Sequence, residues 1–92
     1  MKIVSRRKVE DCFDGSSVFG YEVSEPWTPE NVRCLAPLGE LEYFKEFPRP
    51  FFRLRTQEGL FVTGVVGAVT CRVILPRTNR DAVQQKLQEV FQ

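Results

Sequence analysis

The 92-residue chain contains no histidine. Without an imidazole the commonest general base near neutral pH is missing, and nucleophilic triads of the Ser-His-Asp or Cys-His type are excluded outright. Its cysteines are Cys12, Cys34 and Cys71, widely spaced and without a C-x-x-C pair. A zinc site would need four ligands, so all three would have to be joined by a carboxylate. Neither a metal nor any other cofactor is expected. No window approaches the ~18 consecutive apolar residues of a membrane helix. Met1 to Lys8 also lacks the apolar centre of a secretory leader. These two absences make cytoplasmic residence, with no membrane contact, the expectation. The segment Gly64-Val65-Val66-Gly67 has neither the Lys-Ser/Thr pair nor the following helix of a phosphate loop. A net charge of only +1 lacks the basic excess usual in nucleic-acid binders.

What is present is the composition of one ordinary domain over residues 1–92, with 42% hydrophobic and 27% charged side chains. The richest stretch is Phe51 to Leu75, which reads as a three-strand antiparallel meander. Phe51-Phe52-Arg53-Leu54-Arg55 alternates apolar and charged groups with the period of a half-buried strand. Thr56-Gln57-Glu58-Gly59 supplies a type I turn followed by a glycine free to adopt positive φ, so Thr56 should face Leu60. A second strand from Leu60 to Val66 is expected to turn at Gly67-Ala68 in type II′ geometry, pairing Val66 with Val69. Pro76 ends the third strand, Val69 to Leu75, because it offers no ladder donor.

Opposed residues of an antiparallel pair share a face, so the two turns fix lateral rows. Leu54-Val62-Val73 and Phe52-Gly64-Cys71 make the core face, on which Cys71 is a small buried hydrophobe. Arg55-Phe61-Ile74 and Arg53-Thr63-Arg72 make the other. That second face carries Phe51, Phe61, Val65 and Ile74 among Arg53, Arg55 and Arg72. It is too apolar for a purely solvated surface, so either another segment, such as Glu25 to Pro50, folds across it or it meets a partner.

The remaining elements follow from local signals. Lys2 to Val9 and Val18 to Val23 read as strands around the Asp14-Gly15-Ser16-Ser17 turn. Thr28 caps a helix with Pro29 at its first position and Glu30 in its first turn; Val32, Leu35 and Ala36 fall on one side, Cys34 counts as buried, and Pro37 ends it near Leu35 or Ala36. Trp27 sits just before, as a packing anchor. Glu40 to Phe47 alternates as another strand, and Pro48-Arg49-Pro50 forces an extended corner. Thr78 or Asn79 caps a last helix whose Val83, Leu87, Val90 and Phe91 recur at i, i+4, i+7 and i+8 and should lie on the Leu54-Val62-Val73 face. The order is ββαββββα: an α+β two-layer sandwich with a mostly antiparallel sheet of five to six strands and two helices.

Aromatic side chains crowd the Pro48-Arg49-Pro50 corner: Tyr43, Phe44, Phe47, Phe51 and Phe52. Such clusters fill the end of a core; where one stays open it makes a pocket, for which Trp27, Tyr43, Phe44 and Phe47 are the candidates. Charge is segregated along the chain. Residues 1–9 carry +4, residues 10–46 carry −7 and residues 47–92 carry +4. Arginines and aromatics are the residue types enriched at the energetic centres of protein interfaces. The expectation is a small non-catalytic binding or assembly module acting through Arg53, Arg55, Phe51, Phe61, Arg72 and Ile74 on a protein partner or in a homodimer. Two alternatives stay open: a single-stranded nucleic-acid-binding sheet on which bases stack, and a small enzyme working with carboxylates alone.

Overall fold

A computed structural model describes residues 1–91. Six strands form one antiparallel sheet: β1 (Ile3–Asp11), β2 (Ser17–Val23), β3 (Glu40–Phe44), β4 (Phe51–Arg55), β5 (Phe61–Val65) and β6 (Thr70–Leu75). Two helices accompany them, α1 (Pro29–Arg33) and α2 (Arg80–Val90), with a 3-10 turn at Ala36–Leu38. The element order is the ββαββββα read from the sequence. In space the strands lie β1-β2-β6-β5-β4-β3, which leaves β1 and β3 at the two edges.

The meander has the expected register. Leu54 pairs with Val62 and Val62 with Val73, while Arg55 lies opposite Phe61 and Phe61 opposite Ile74. Its first turn closes as anticipated: Thr56 N donates to Leu60 O at 3.0 Å, Gly59 N donates to Thr56 O at 3.1 Å, and Gly59 has φ +98°. The second turn differs from the type II′ expectation. Ala68 N donates to Val65 O at 3.1 Å and Gly67 has φ +93°, so Val66-Gly67 are the central residues and the positive φ sits at the third position of the turn, as in type II. The cause lies outside the hairpin. Trp27 N donates to Ala68 O and Gly67 N to Trp27 O, each at 2.9 Å, and Val23 N donates to Val69 O at 2.8 Å. A closed Val66-Val69 pair would have used Val66 N and Val69 O, and these are taken by Pro50 O and Val23 N.

The buried cluster unites Tyr21 and Val23 of β2, Phe52 and Leu54 of β4, Val62 of β5, and Cys71, Val73 and Leu75 of β6 with Trp27, Val32, Leu35, Val83, Leu87 and Phe91. All the strand members share one sheet face by register, and the buried residues of both helices join them. The strand from 40 stops at Phe44, three residues before its expected end, because Lys45 and Glu46 turn. Thr28 caps α1 through its hydroxyl, which accepts from Asn31 N at 3.1 Å. That helix ends at Arg33, and the turn containing Pro37 follows; Leu35 is buried, whereas Cys34 and Ala36 are exposed, contrary to expectation. With only five residues in α1, its inward stripe is satisfied by Val32 and Leu35, and Cys34 falls on the outer side. Asn79 stands at the start of α2 but its side chain makes no capping hydrogen bond; it adopts left-handed φ, +57°, to turn the chain. Among the described residues no helix is long and apolar enough to cross a membrane.

Candidate functional site: the sheet face away from the helices

The face opposite the core carries three rows of side chains, set by the ladder partners. The first runs Glu10, Val18, Ile74, Phe61, Arg55, Glu40; the second Arg7, Gly20, Arg72, Thr63, Arg53, Glu42; the third has Ser5, Glu22 and Thr70 on one side and Val65, Phe51 and Phe44 on the other. Trp27, Val32 and Leu35 belong to the main cluster on the other side of the sheet. The alternative in which residues 25–50 cover this face therefore does not hold for the helical part of that segment.

Burial on this face is partial. Val18 is buried, Phe44, Phe51, Arg53, Phe61 and Ile74 are half-buried, and Val65, Arg55 and Arg72 are exposed. The sheet divides the aromatic cluster that the sequence treats as one. Tyr43 and Phe52 point to the core side, whereas Phe44, Phe47 and Phe51 gather on the other. Phe44 stacks on Phe51 with centroids 4.6 Å apart and 19° between planes, and Phe47 lies 5.3 Å from Phe51. Phe47 is 53% exposed, so the open side of this trio is wet. Trp27 takes the packing role: it is 1% exposed, with Phe52 at 4.6 Å and Phe91 at 5.8 Å, and walls no surface pocket.

The arginines are held by their neighbours. Arg53 lies over the Phe44 ring, 5.0 Å from its centroid, and forms an ion pair with Glu42 at 3.3 Å. Arg55 lies 5.5 Å from the Phe61 centroid, and Arg72 pairs with Glu10 at 3.5 Å. Cation-π contacts of this kind draw the guanidinium to the ring face, and Arg53 Nε is buried there without a hydrogen-bond partner among the described residues. Across the three rows, four arginines (Arg7, Arg53, Arg55, Arg72) meet four glutamates (Glu10, Glu22, Glu40, Glu42), so the face is electrically balanced. The sequence signals that locate Arg53, Arg55, Phe51, Phe61, Arg72 and Ile74 on one surface were the two turns; Glu10 and Glu22 could not be added without knowing that β2 docks on β6, nor Glu40 and Glu42 without the pairing of β3 with β4.

Elsewhere the chemistry is quiet. Burial pushes the Cys71 thiol up to about 12. Burial likewise raises Tyr21. Hydrogen bonds from Lys8 and Ser17 lower the Asp11 carboxyl, and one from Lys86 lowers Glu58. Among the described residues no group of three or more potential metal ligands gathers. Open grooves lie between β1 and α2, one of about 560 Å³ bordered by Arg6, Asp81 and Gln84 and one of about 870 Å³ bordered by Ile3, Arg6 and Phe91. No family model matches the chain, and comparison with curated proteins and with solved structures likewise found no match.

Proposed function

We propose that this protein is a small binding or assembly module that acts in the cytoplasm by docking its helix-free sheet face on another protein, the simplest partner being a second copy. The observation that carries this reading is a half-exposed apolar strip, Phe44, Phe51, Phe61, Val65 and Ile74, bordered by arginines fixed over aromatic rings. Equal numbers of arginines and glutamates favour a protein partner over a polyanion, which would be repelled by Glu10, Glu22, Glu40 and Glu42. A two-fold axis parallel to the strands, between β5 and β6, would set Phe61 over Ile74 of the second copy and Glu42 over its Arg7, with the apolar strips in the middle. Three free thiols suit a reducing compartment.

Sedimentation of wild type and Phe61→Glu tests it at about 1 M salt, where the Debye length is about 3 Å and surface charge is screened. The expectation is a wild-type dimer, twice the 10.6 kDa chain mass, and a folded monomeric variant. A wild type that stays monomeric at tens of micromolar removes the second copy as partner. A variant that unfolds instead of dissociating makes the face part of the fold's own core.

A further inference from the structure

The two edges of the sheet carry opposite charge. β1 presents Arg6, Arg7 and Lys8 ahead of Glu10 and Asp11, with Lys2 just before it, so its edge is net positive, and all but Ile3 of its nine residues are exposed. β3 presents Glu40 and Glu42, with Glu46 just beyond it. Lys2, Arg6 and Arg7 make no salt bridge among the described residues, and neither do Glu40 and Glu46. The segregation of charge along the sequence thus becomes a segregation across the sheet.

We propose that copies of this chain associate head to tail, the β1 edge of one pairing with the β3 edge of the next to continue the sheet. Three features point there. The number of strands is even and every neighbouring pair is antiparallel, so β1 and β3 run in opposite directions. A second copy placed by translation across the strands therefore meets the first in antiparallel orientation, with its helices on the same side. Next, edge charges ordinarily prevent sheet-to-sheet pairing. Here they prevent only β1 with β1 and β3 with β3, because the remaining combination brings Arg7 alongside Glu40 and Glu42 on the helix-free face, with Arg6 and Lys8 adding positive charge on the other face of the same edge. Finally, the irregularities of β1 fall between Ile3 and Ser5 and between Lys8 and Glu10. The regular run between them is Ser5-Arg6-Arg7-Lys8, which places the basic side chains on the stretch of edge best shaped for a ladder with the five residues of β3. Such a contact is heterologous and does not close on itself after two copies.

This association uses the sheet edges and not the apolar strip at the centre of the face described above, and three readouts separate them. Pairing through edges produces species larger than a dimer, grows with concentration, and is lost at about 1 M salt, whereas face contact stops at the dimer and survives salt. The experiment is light scattering with sedimentation at about 10 mM ionic strength on wild type, on Arg6→Glu/Arg7→Glu, and on Glu40→Arg/Glu42→Arg, with circular dichroism to check folding. Wild type is expected to exceed twice the 10.6 kDa chain mass. Each variant alone has two edges of like charge and is expected to lose every species above the dimer. Mixed in equal amounts, the two variants are expected to assemble again, since each acidic edge then finds a basic one. A wild type with no species above the dimer at low salt overturns the proposal. So does a variant that assembles alone, or a mixture of folded variants that does not recover.

Discussion

Gly64→Ala tests the packing at the centre of the sheet. Gly64 lies opposite Phe52 on the core face, and a Cβ there would stand 2.7 Å from two atoms of the Phe52 ring and 3.4 Å from Cys71 Cβ. Contact at 2.7 Å is not tolerated, so the ring must move. It has little room, because Phe52 is fully buried with Trp27 at 4.6 Å, and Trp27 is in turn backed by Phe91 at 5.8 Å. Overpacking of this kind costs about 1 to 3 kcal/mol. Against it, replacing glycine inside a strand recovers roughly 0.5 to 1 kcal/mol of backbone entropy. The net expectation is a loss of about 1 to 2 kcal/mol, read as a fall in Tm of roughly 5 to 15 °C for a domain of this size. Urea denaturation of Gly64→Ala, Phe52→Leu and the double variant completes the cycle. Shortening the ring makes room for the methyl, so the double variant should be more stable than the sum of the singles implies, by more than about 0.5 kcal/mol. A Gly64→Ala protein as stable as wild type would refute the reasoning, as would strict additivity.

Leu87→Ala removes a fully buried side chain from α2 and should cost on the order of 2 to 5 kcal/mol; a chemical denaturation curve shifted by less than about 0.5 kcal/mol would place that helix off the core. In the folded protein at neutral pH, alkylation followed by mass spectrometry should label the exposed Cys34 well before Cys71, whose buried thiol is pushed up to about 12. Labelling of Cys71 at the rate of Cys34 would show that the sheet opens there.

The central meander was legible because its information is local. Thr56 to Gly59 fixes one register, and a slip of a single residue would expose Leu54, Val62 and Val73 together. The second register survived an error in turn type, since the ladder from Phe61-Ile74 to Gly64-Cys71 continues the pairing that places Val66 opposite Val69, even though the closing turn is Val65 to Ala68. What selected between the two turns were backbone partners outside the hairpin, Pro50 for Val66 and Val23 for Val69, and no pattern local to the turn encodes them. Cys34 was misplaced for a related reason: periodicity identifies a stripe but not where a five-residue helix stops using it. Of the candidate site, Arg53, Arg55, Phe61, Arg72 and Ile74 were placed together by the meander alone. The division of Tyr43 from Phe44 followed from alternation, whereas the contrast between the two edges required the pairing of β3 with β4, and both that contrast and the placing of Glu10 and Glu22 required the position of β2 on β6, a contact between distant parts of the chain.

That position has a consequence for how the chain finds its fold. Every ladder contact of β1 and β2 with each other lies within residues 3–23, and every contact from β3 to β6 lies within residues 40–75. The β2–β6 ladder alone sews the two pieces together, across sequence separations of 48 residues at Glu22 and Thr70 and 58 at Ser17 and Leu75. Closing a loop of that size costs about 3 kcal/mol in chain entropy before any contact rewards it. The hairpin and the meander are thus two units of low contact order joined by one nonlocal seam, and the seam, with Tyr21 against Cys71 and Phe19 against Val73, is the part of the sheet expected to form last.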